Sequence, residues 1–142
     1  MTPFNGFNYK TIIPIRFADI DAFGHVNNAA YLTYFEIART AYWKNVIQWN
    51  WELMGIILGK AEINYLKPIH LDDKIFAYVR TSRIGNSSFD LDYALTKEKN
   101  GTEILCSTGN TVCITFDYRL NQNAPIPKNY RQRMQEFELL SI

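Results

Sequence analysis

The chain of 142 residues is the size of one domain, and its formal charge of +1, spread along the sequence, offers no clustered basic face for duplex nucleic acid. With 47% hydrophobic and 15% aromatic residues it can bury a sizeable core, which excludes a disordered chain. Its apolar runs are broken by charge before bilayer-spanning length, and residues 1–10 lack a basic start followed by an apolar stretch, so a cytoplasmic protein without leader or membrane segment is expected.

The run from Tyr9 to Phe17 is rich in β-formers, with Ile12, Ile13, Ile15 and Phe17. A polar, glycine-bearing stretch follows from Ala18 to Asn28. Ala29 to about Trp49 contains neither Pro nor Gly and predicts one long helix. Its polar residues Thr33, Glu36, Thr40, Lys44 and Gln48 form a narrow stripe, so the rest of the circumference must be wrapped by other structure. Gly59 to Leu66 alternates as a strand and ends at Lys67-Pro68, and Lys74 to Arg83 is a second strand. Ser88 to Lys97 places Phe89, Leu91, Tyr93 and Leu95 on one face. Asn100-Gly101 signals a hairpin into a long strand, Glu103 to Tyr118, with a bend expected at Gly109. Pro125 to Pro127 precedes a short amphipathic helix, Lys128 to Leu140. This order predicts one α+β domain over residues 1–142, a curved antiparallel sheet around one helix.

Cys106 and Cys113 lie seven residues apart in one predicted strand. Extended, they stand roughly 23 Å apart and on opposite faces, so they are read as buried thiols and not a disulfide. Only two histidines occur, His25 and His70, and no Cys, His or carboxylate spacing suits a metal. A phosphate-binding glycine loop and a serine nucleophile elbow are also missing.

Chemistry concentrates between Arg16 and Arg39, where Asp19 and Asp21 precede Gly24, His25, Asn27, Asn28 and the long helix. Asn27 or Asn28 suits an N-cap. The first-turn amides and the helix dipole favour an oxygen that becomes negative during reaction, and an aspartate nearby can act as base or nucleophile. The same aspartates also suit plain turn positions.

The segment resembles the 4-hydroxybenzoyl-CoA thioesterase-like branch of the hotdog superfamily, with a signature Asp-x-Asp-x-x-Gly-His-Val-Asn-Asn-x-x-Tyr. Here this is Asp19, Asp21, Gly24, His25, Val26, Asn27, Asn28 and Tyr31, then Phe35, Glu36, Ala38 and Arg39. The likeness continues through Ile63 to Pro68, Asp72-Asp73 and Ile84 to Phe89. Ile20 stands where threonine is usual.

The resemblance implies a hotdog fold of five or six strands and hydrolysis of an acyl-CoA to a carboxylate and CoA. It gives Asp21 the reacting carboxylate, as nucleophile or general base, and the Asn28 N–H the polarising role. Gly24, His25, Asn27, Tyr31 and Tyr65 are then expected around the acyl group, and Arg83, Gly85, Asn86, Ser87 and Ser88 against CoA. Lys67 and Arg119 are further cations for its phosphates. Asp19 takes a structural role, bonding loop amides or pairing with Arg16. Beyond the CoA of the substrate no cofactor is implied, and a homodimer or homotetramer with shared active sites is. A second hotdog branch carries its carboxylate on the helix with a threonine one turn later, a spacing that Glu36 and Thr40 match; Glu36 otherwise pairs with Arg39. The rival functions are a non-catalytic acyl-thioester or acyl-carrier-protein binding module and an enoyl-thioester dehydratase or hydratase, whose Asp-x-Asn-Pro-x-His pattern does not occur here.

Overall fold

The computed structural model describes residues 6–140; residues 1–5, part of the stretch read above as no leader, and 141–142 lie outside the described residues. β1 (Tyr9–Ile13) leads through a 3-10 turn (Phe17–Asp19) to α1 (Ala30–Tyr42), which continues into a π-helical turn (Trp43–Ile47). Then come β2 (Gly55–Tyr65), β3 (Lys74–Ile84), β4 (Ser88–Lys99), β5 (Thr102–Asp117), the two-residue β6 (Gln122–Asn123) and α2 (Lys128–Glu138). The sheet order is β1-β3-β4-β5-β2, with β6 on β5 and every pairing antiparallel. This is the α+β arrangement expected, with six strands.

α1 buries Tyr31, Tyr34, Phe35, Ala38 and Tyr42 against the sheet. Phe35 stacks on Tyr93 of β4 with ring centroids 4.5 Å apart. Gly109 of β5 makes room for that ring, because a Cβ there would lie 2.4 Å from Phe35 Cε2. Gly109 is therefore a site of close approach and not the bend predicted for it. The irregularity sits at Cys106, which β4 skips as its pairing moves from Leu95–Ser107 to Thr96–Leu105. One extra residue reverses the inward and outward alternation. Cys106 and Cys113 consequently share one core cluster, a correction to their assignment to opposite faces; both are free and buried, and burial pushes the Cys113 thiol up to about 12.

The helix starts where expected, with Ala29 as its N-cap, but changes character towards its C-terminal end. Regular α1 stops at Tyr42, and the π turn ends at Gln48, whose φ is 59°. Leu32 and Ile37 are exposed although the pattern wrapped them, while Arg39 on the polar side is buried. Two cavities lie between α1 and the β2 side of the sheet, one at Tyr31 and Tyr65 and one at Trp43 and Leu58. β2 begins four residues before its prediction, since Gly55 to Leu58 lacks the alternation that marked the rest. At the other hairpin Asn100 and Gly101 have φ of 52° and 77°, as a type I′ turn requires.

Candidate active site

The loop from Ile20 to Ala29 is built on Asp19. Its buried carboxylate accepts from the Arg16 backbone N–H, from Arg16 Nε and Nη2, and from the Tyr34 hydroxyl at 2.7 Å. Burial pushes this carboxyl up, but the bonds from Arg16 and Tyr34 outweigh it and hold the group below the usual range. The Asp19 carbonyl accepts the Asn27 N–H at 2.7 Å, so the same residue anchors the far end of the loop. Ile20 and Val26 form a bridge across the loop, and the Val26 N–H donates to Ile69 O.

Within that frame Asp21 is held through one oxygen. Asp21 Oδ1 accepts the Phe23 N–H at 2.9 Å and the His25 N–H at 3.4 Å, while Oδ2 makes no hydrogen bond among the described residues. Gly24 completes the turn at φ 81°, a conformation glycine adopts at little cost.

The entry to α1 spends its amides in order. Asn27 Oδ1 accepts the Ala29 N–H, the Asn27 carbonyl accepts Ala30 N–H, and the Asn28 carbonyl accepts Tyr31 N–H. The N-cap position itself falls to Ala29, without a side-chain cap, so neither Asn27 nor Asn28 is the N-cap expected; Asn27 instead closes a turn just ahead of the helix. The Asn28 N–H has no partner among the described residues. The Asn28 carbonyl also receives the Tyr65 hydroxyl at 2.9 Å.

Next to this N–H lies a cavity of about 260 Å³ lined by His25, Val26, Asn28, Tyr31, Tyr65, Leu66, Lys67 and Pro68. Tyr31 is buried, which pushes its hydroxyl up to about 12 and keeps it protonated at neutral pH. The His25 ring meets His70 edge-on at 4.9 Å, and His70 Nδ1 stands 3.5 Å from Asp73 Oδ2. Lys97 Nζ braces the floor by donating to Pro68 O at 2.9 Å. Leu66, Pro68 and Asp73 fall in stretches that carry the resemblance, but their place at this site, and that of His70, was not read from the sequence because their link to the Asp19 loop is long-range.

The residues singled out in the sequence thus fall into three groups. His25, Asn28, Tyr31 and Tyr65 line one cavity. Asp21, Gly24 and Asn27 form the loop beside it without lining it in this chain. Arg83 and Gly85 to Ser88 lie towards the opposite end of β3 and β4, roughly 20 Å along the strand from Ala77, which is level with Tyr65 through Leu95 and Ser107. There Arg83 pairs with Asp90 at 2.7 Å and Ser88 at 3.0 Å, and Arg131 donates to the Gly85 carbonyl. They do not belong to the cavity of their own chain, because the hairpin that carries them points away from it. Arg119 lies at that far end too. Lys67 lines the cavity and forms no ion pair among the described residues.

Glu36 is exposed and sits 3.6 Å from Arg39 on the helix, outside this cavity. Among the described residues no group of three or more His, Cys, Asp or Glu side chains could hold a metal ion, and no helix is long and apolar enough to cross a membrane.

The family model of the thioesterase-like superfamily matches residues 15–134, a span that holds the loop, the cavity and the sheet. The chain belongs to this superfamily. It is a thioester hydrolase by family, and the resemblance read from Asp19 to Arg39 is confirmed. The chain is 33% identical to the uncharacterized protein YsmA of Bacillus subtilis over 76% of this chain and 72% of that one. It is 25% identical to the long-chain acyl-CoA thioesterase FadM of Escherichia coli over 89% and 97% of the two chains. Among solved structures, a Thermus thermophilus thioesterase complexed with coenzyme A and zinc superposes with a TM-score of 0.82 at 33% identity, covering 97% of this chain and 99% of that one. The antiparallel sheet with its long helix is accordingly the hotdog fold.

Proposed function

We propose that the protein hydrolyses an acyl-CoA to a free carboxylate and CoA, with Asp21 as the reacting carboxylate and the Asn28 N–H as the group that polarises the thioester carbonyl. One observation carries this reading: Asn28, whose N–H has no partner among the described residues, lines a cavity seven residues after a carboxylate with one oxygen locked and the other unbound. A developing negative charge on the carbonyl oxygen is stabilised by that N–H at the positive end of α1. As general base, Asp21 takes a proton from water while the water oxygen bonds to the carbonyl carbon. The tetrahedral adduct then expels the thiolate, which takes up a proton. As nucleophile, Asp21 Oδ2 bonds to the carbonyl carbon, the C–S bond breaks, and water cleaves the resulting anhydride.

Coenzyme A as part of the substrate fits the names of FadM and of the Thermus thioesterase. Lys67 is the cation placed to meet its phosphates in the same chain. Arg83 and Gly85 to Ser88 would serve CoA only from a neighbouring subunit. Antiparallel pairing of β2 with its own copy would supply that neighbour, since it runs the far end of one sheet beside the cavity end of the other.

Hydrolysis of a panel of aliphatic and aromatic acyl-CoAs, followed by thiol release, tests the reading. Turnover of at least one substrate that is lost in Asp21→Asn is the expected result. Binding without turnover would make the chain a binding module. Single turnover in ¹⁸O-water separates the two roles of Asp21: as nucleophile it leaves its own unlabelled oxygen in the first product and acquires the label.

A further inference from the structure

The cleft between α1 and β2 holds a cavity at each end. The thioester cavity lies at Tyr31 and Tyr65. The second, of about 240 Å³, lies among Arg39, Thr40, Trp43, Trp51, Ile56 and Leu58, with Glu36 at its edge. Tyr31 and Thr40 are nine residues apart, roughly 14 Å along the helix axis. That is a span an alkyl chain can bridge.

Two donors meet at the second cavity, and one of them is unsatisfied. Trp43 is 5% exposed, and its indole N–H has no hydrogen-bond partner among the described residues. The indole N–H of neighbouring Trp49, by contrast, donates to Met54 O at 2.9 Å. The Arg39 side chain is 9% exposed, yet its carboxylate partner is the solvent-facing Glu36 at 3.6 Å; its other polar neighbour is the Tyr93 hydroxyl. A buried N–H without an acceptor carries an unfavourable term that an acceptor oxygen would remove, and Arg39, which also lies over the Trp43 ring at 5.7 Å, adds a cation beside it. The remaining walls are the Trp51 indole, Ile56 and Leu58, with Thr40 and Glu36 on the helix side. Apolar walls with a few convergent donors are what orient a ligand carrying an oxygen on a hydrocarbon body.

We infer that the α1–β2 cleft takes the acyl chain of the substrate and that Arg39 and Trp43 bind an oxygen at the distal end of that chain, a hydroxyl or a carboxylate. The inference rests on the thioesterase reading above and names its substrate class. Selectivity follows, because a substrate lacking the distal oxygen leaves the Trp43 N–H unpaired.

The test compares 12-hydroxydodecanoyl-CoA with dodecanoyl-CoA, and follows the indole N–H signal of ¹⁵N-labelled Trp43, assigned by its loss in Trp43→Phe. Wild-type kcat/KM should favour the hydroxylated substrate by about tenfold, on the scale of one hydrogen bond. Trp43→Phe and Arg39→Met should each bring the ratio close to one, and the Trp43 signal should shift with the hydroxylated ligand and not with the plain one. If either variant fails to fold, the wild-type ratio and signal still decide. Equal kcat/KM for the two substrates, or a Trp43 signal that neither ligand moves, would overturn the inference. A signal that changes only on dilution of the protein would also overturn it, by assigning the cavity to a second copy of the chain. Hydrolysis of no acyl-CoA at all sinks the activity reading alone; titration with free 12-hydroxydodecanoate then decides the cavity by the same signal.

Discussion

Tyr65, the last residue of β2, donates its hydroxyl to the carbonyl of Asn28 at 2.9 Å while its ring meets Tyr31 edge-on at 4.9 Å. The edge strand is thereby tied to the residue whose N–H is assigned to the carbonyl oxygen. Tyr65→Phe removes the tie and keeps the ring. Small misplacements of a polarising group are costly to rate. The expected outcome is a fall in kcat of about tenfold, with stability changed by about 1 kcal/mol or less. Steady-state kinetics and urea unfolding of the same preparation check both, and an unchanged kcat would remove Tyr65 from the site.

Asp19 has a different task, and pH reveals it. Its carboxyl is held below the usual range in the fold despite burial. A carboxylate depressed in this way stabilises the native state above its unfolded pKa of about 3.9, and that contribution is lost as pH falls through the lower native value. Arg16 is largely exposed, so most of the effect is assigned to the buried bond from Tyr34. Asp19→Asn should therefore cost about 2 kcal/mol at pH 7. The gap to the wild type should close as pH drops below about 4. Denaturant titrations across that range measure it, and a gap independent of pH would show that charge plays no part.

Much of this was legible in the sequence for local reasons. Asn100-Gly101 specifies its turn through two left-handed residues, and the alternation of Phe89, Leu91, Tyr93 and Leu95 selects one face of β4. The parts that escaped are non-local. Cys106 is an ordinary strand residue until its pairing with β4 makes it a bulge. Tyr34 reaches Asp19 across fifteen residues, and His70 reaches His25 across forty-five, with no spacing rule to announce either. Arg83 to Ser88 has the composition of a phosphate-contacting loop, but only the lengths of β3 and β4 show that it stands at the wrong end of its own chain.

β2 raises the question of assembly. It is an edge strand of eleven residues without proline, exposed over most of its length, with Ile57 and Leu58 both exposed and Leu32 and Ile37 bare on α1. Long apolar edges recruit a partner strand unless they are blocked. Light scattering at micromolar concentration should give at least twice the 16.6 kDa of the chain. A monomer would contradict this, and would leave Arg83 and Gly85 to Ser88 with no route to CoA.

The last prediction decides between two carboxylates. Asp21 adjoins the turn that presents the Asn28 N–H, and its Oδ2 is unbound among the described residues. Glu36 lies eight residues beyond Asn28, roughly 12 Å along the axis, and leans on Arg39. Reacting atoms must come within about 3–3.5 Å, so a carbonyl held at Asn28 is beyond Glu36 of the same chain. Asp21→Asn should then lower kcat by roughly a thousandfold or more, since it removes both charge and reacting oxygen at constant volume. Glu36→Gln should lose less than about tenfold, the scale of a weakened exposed ion pair and a disturbed Arg39. Thiol release measured for both variants on one substrate gives the answer. Collapse in Glu36→Gln with Asp21→Asn still active would place the reacting group on the helix, and only a subunit arrangement that brings Glu36 to a neighbour's Asn28 could then account for catalysis.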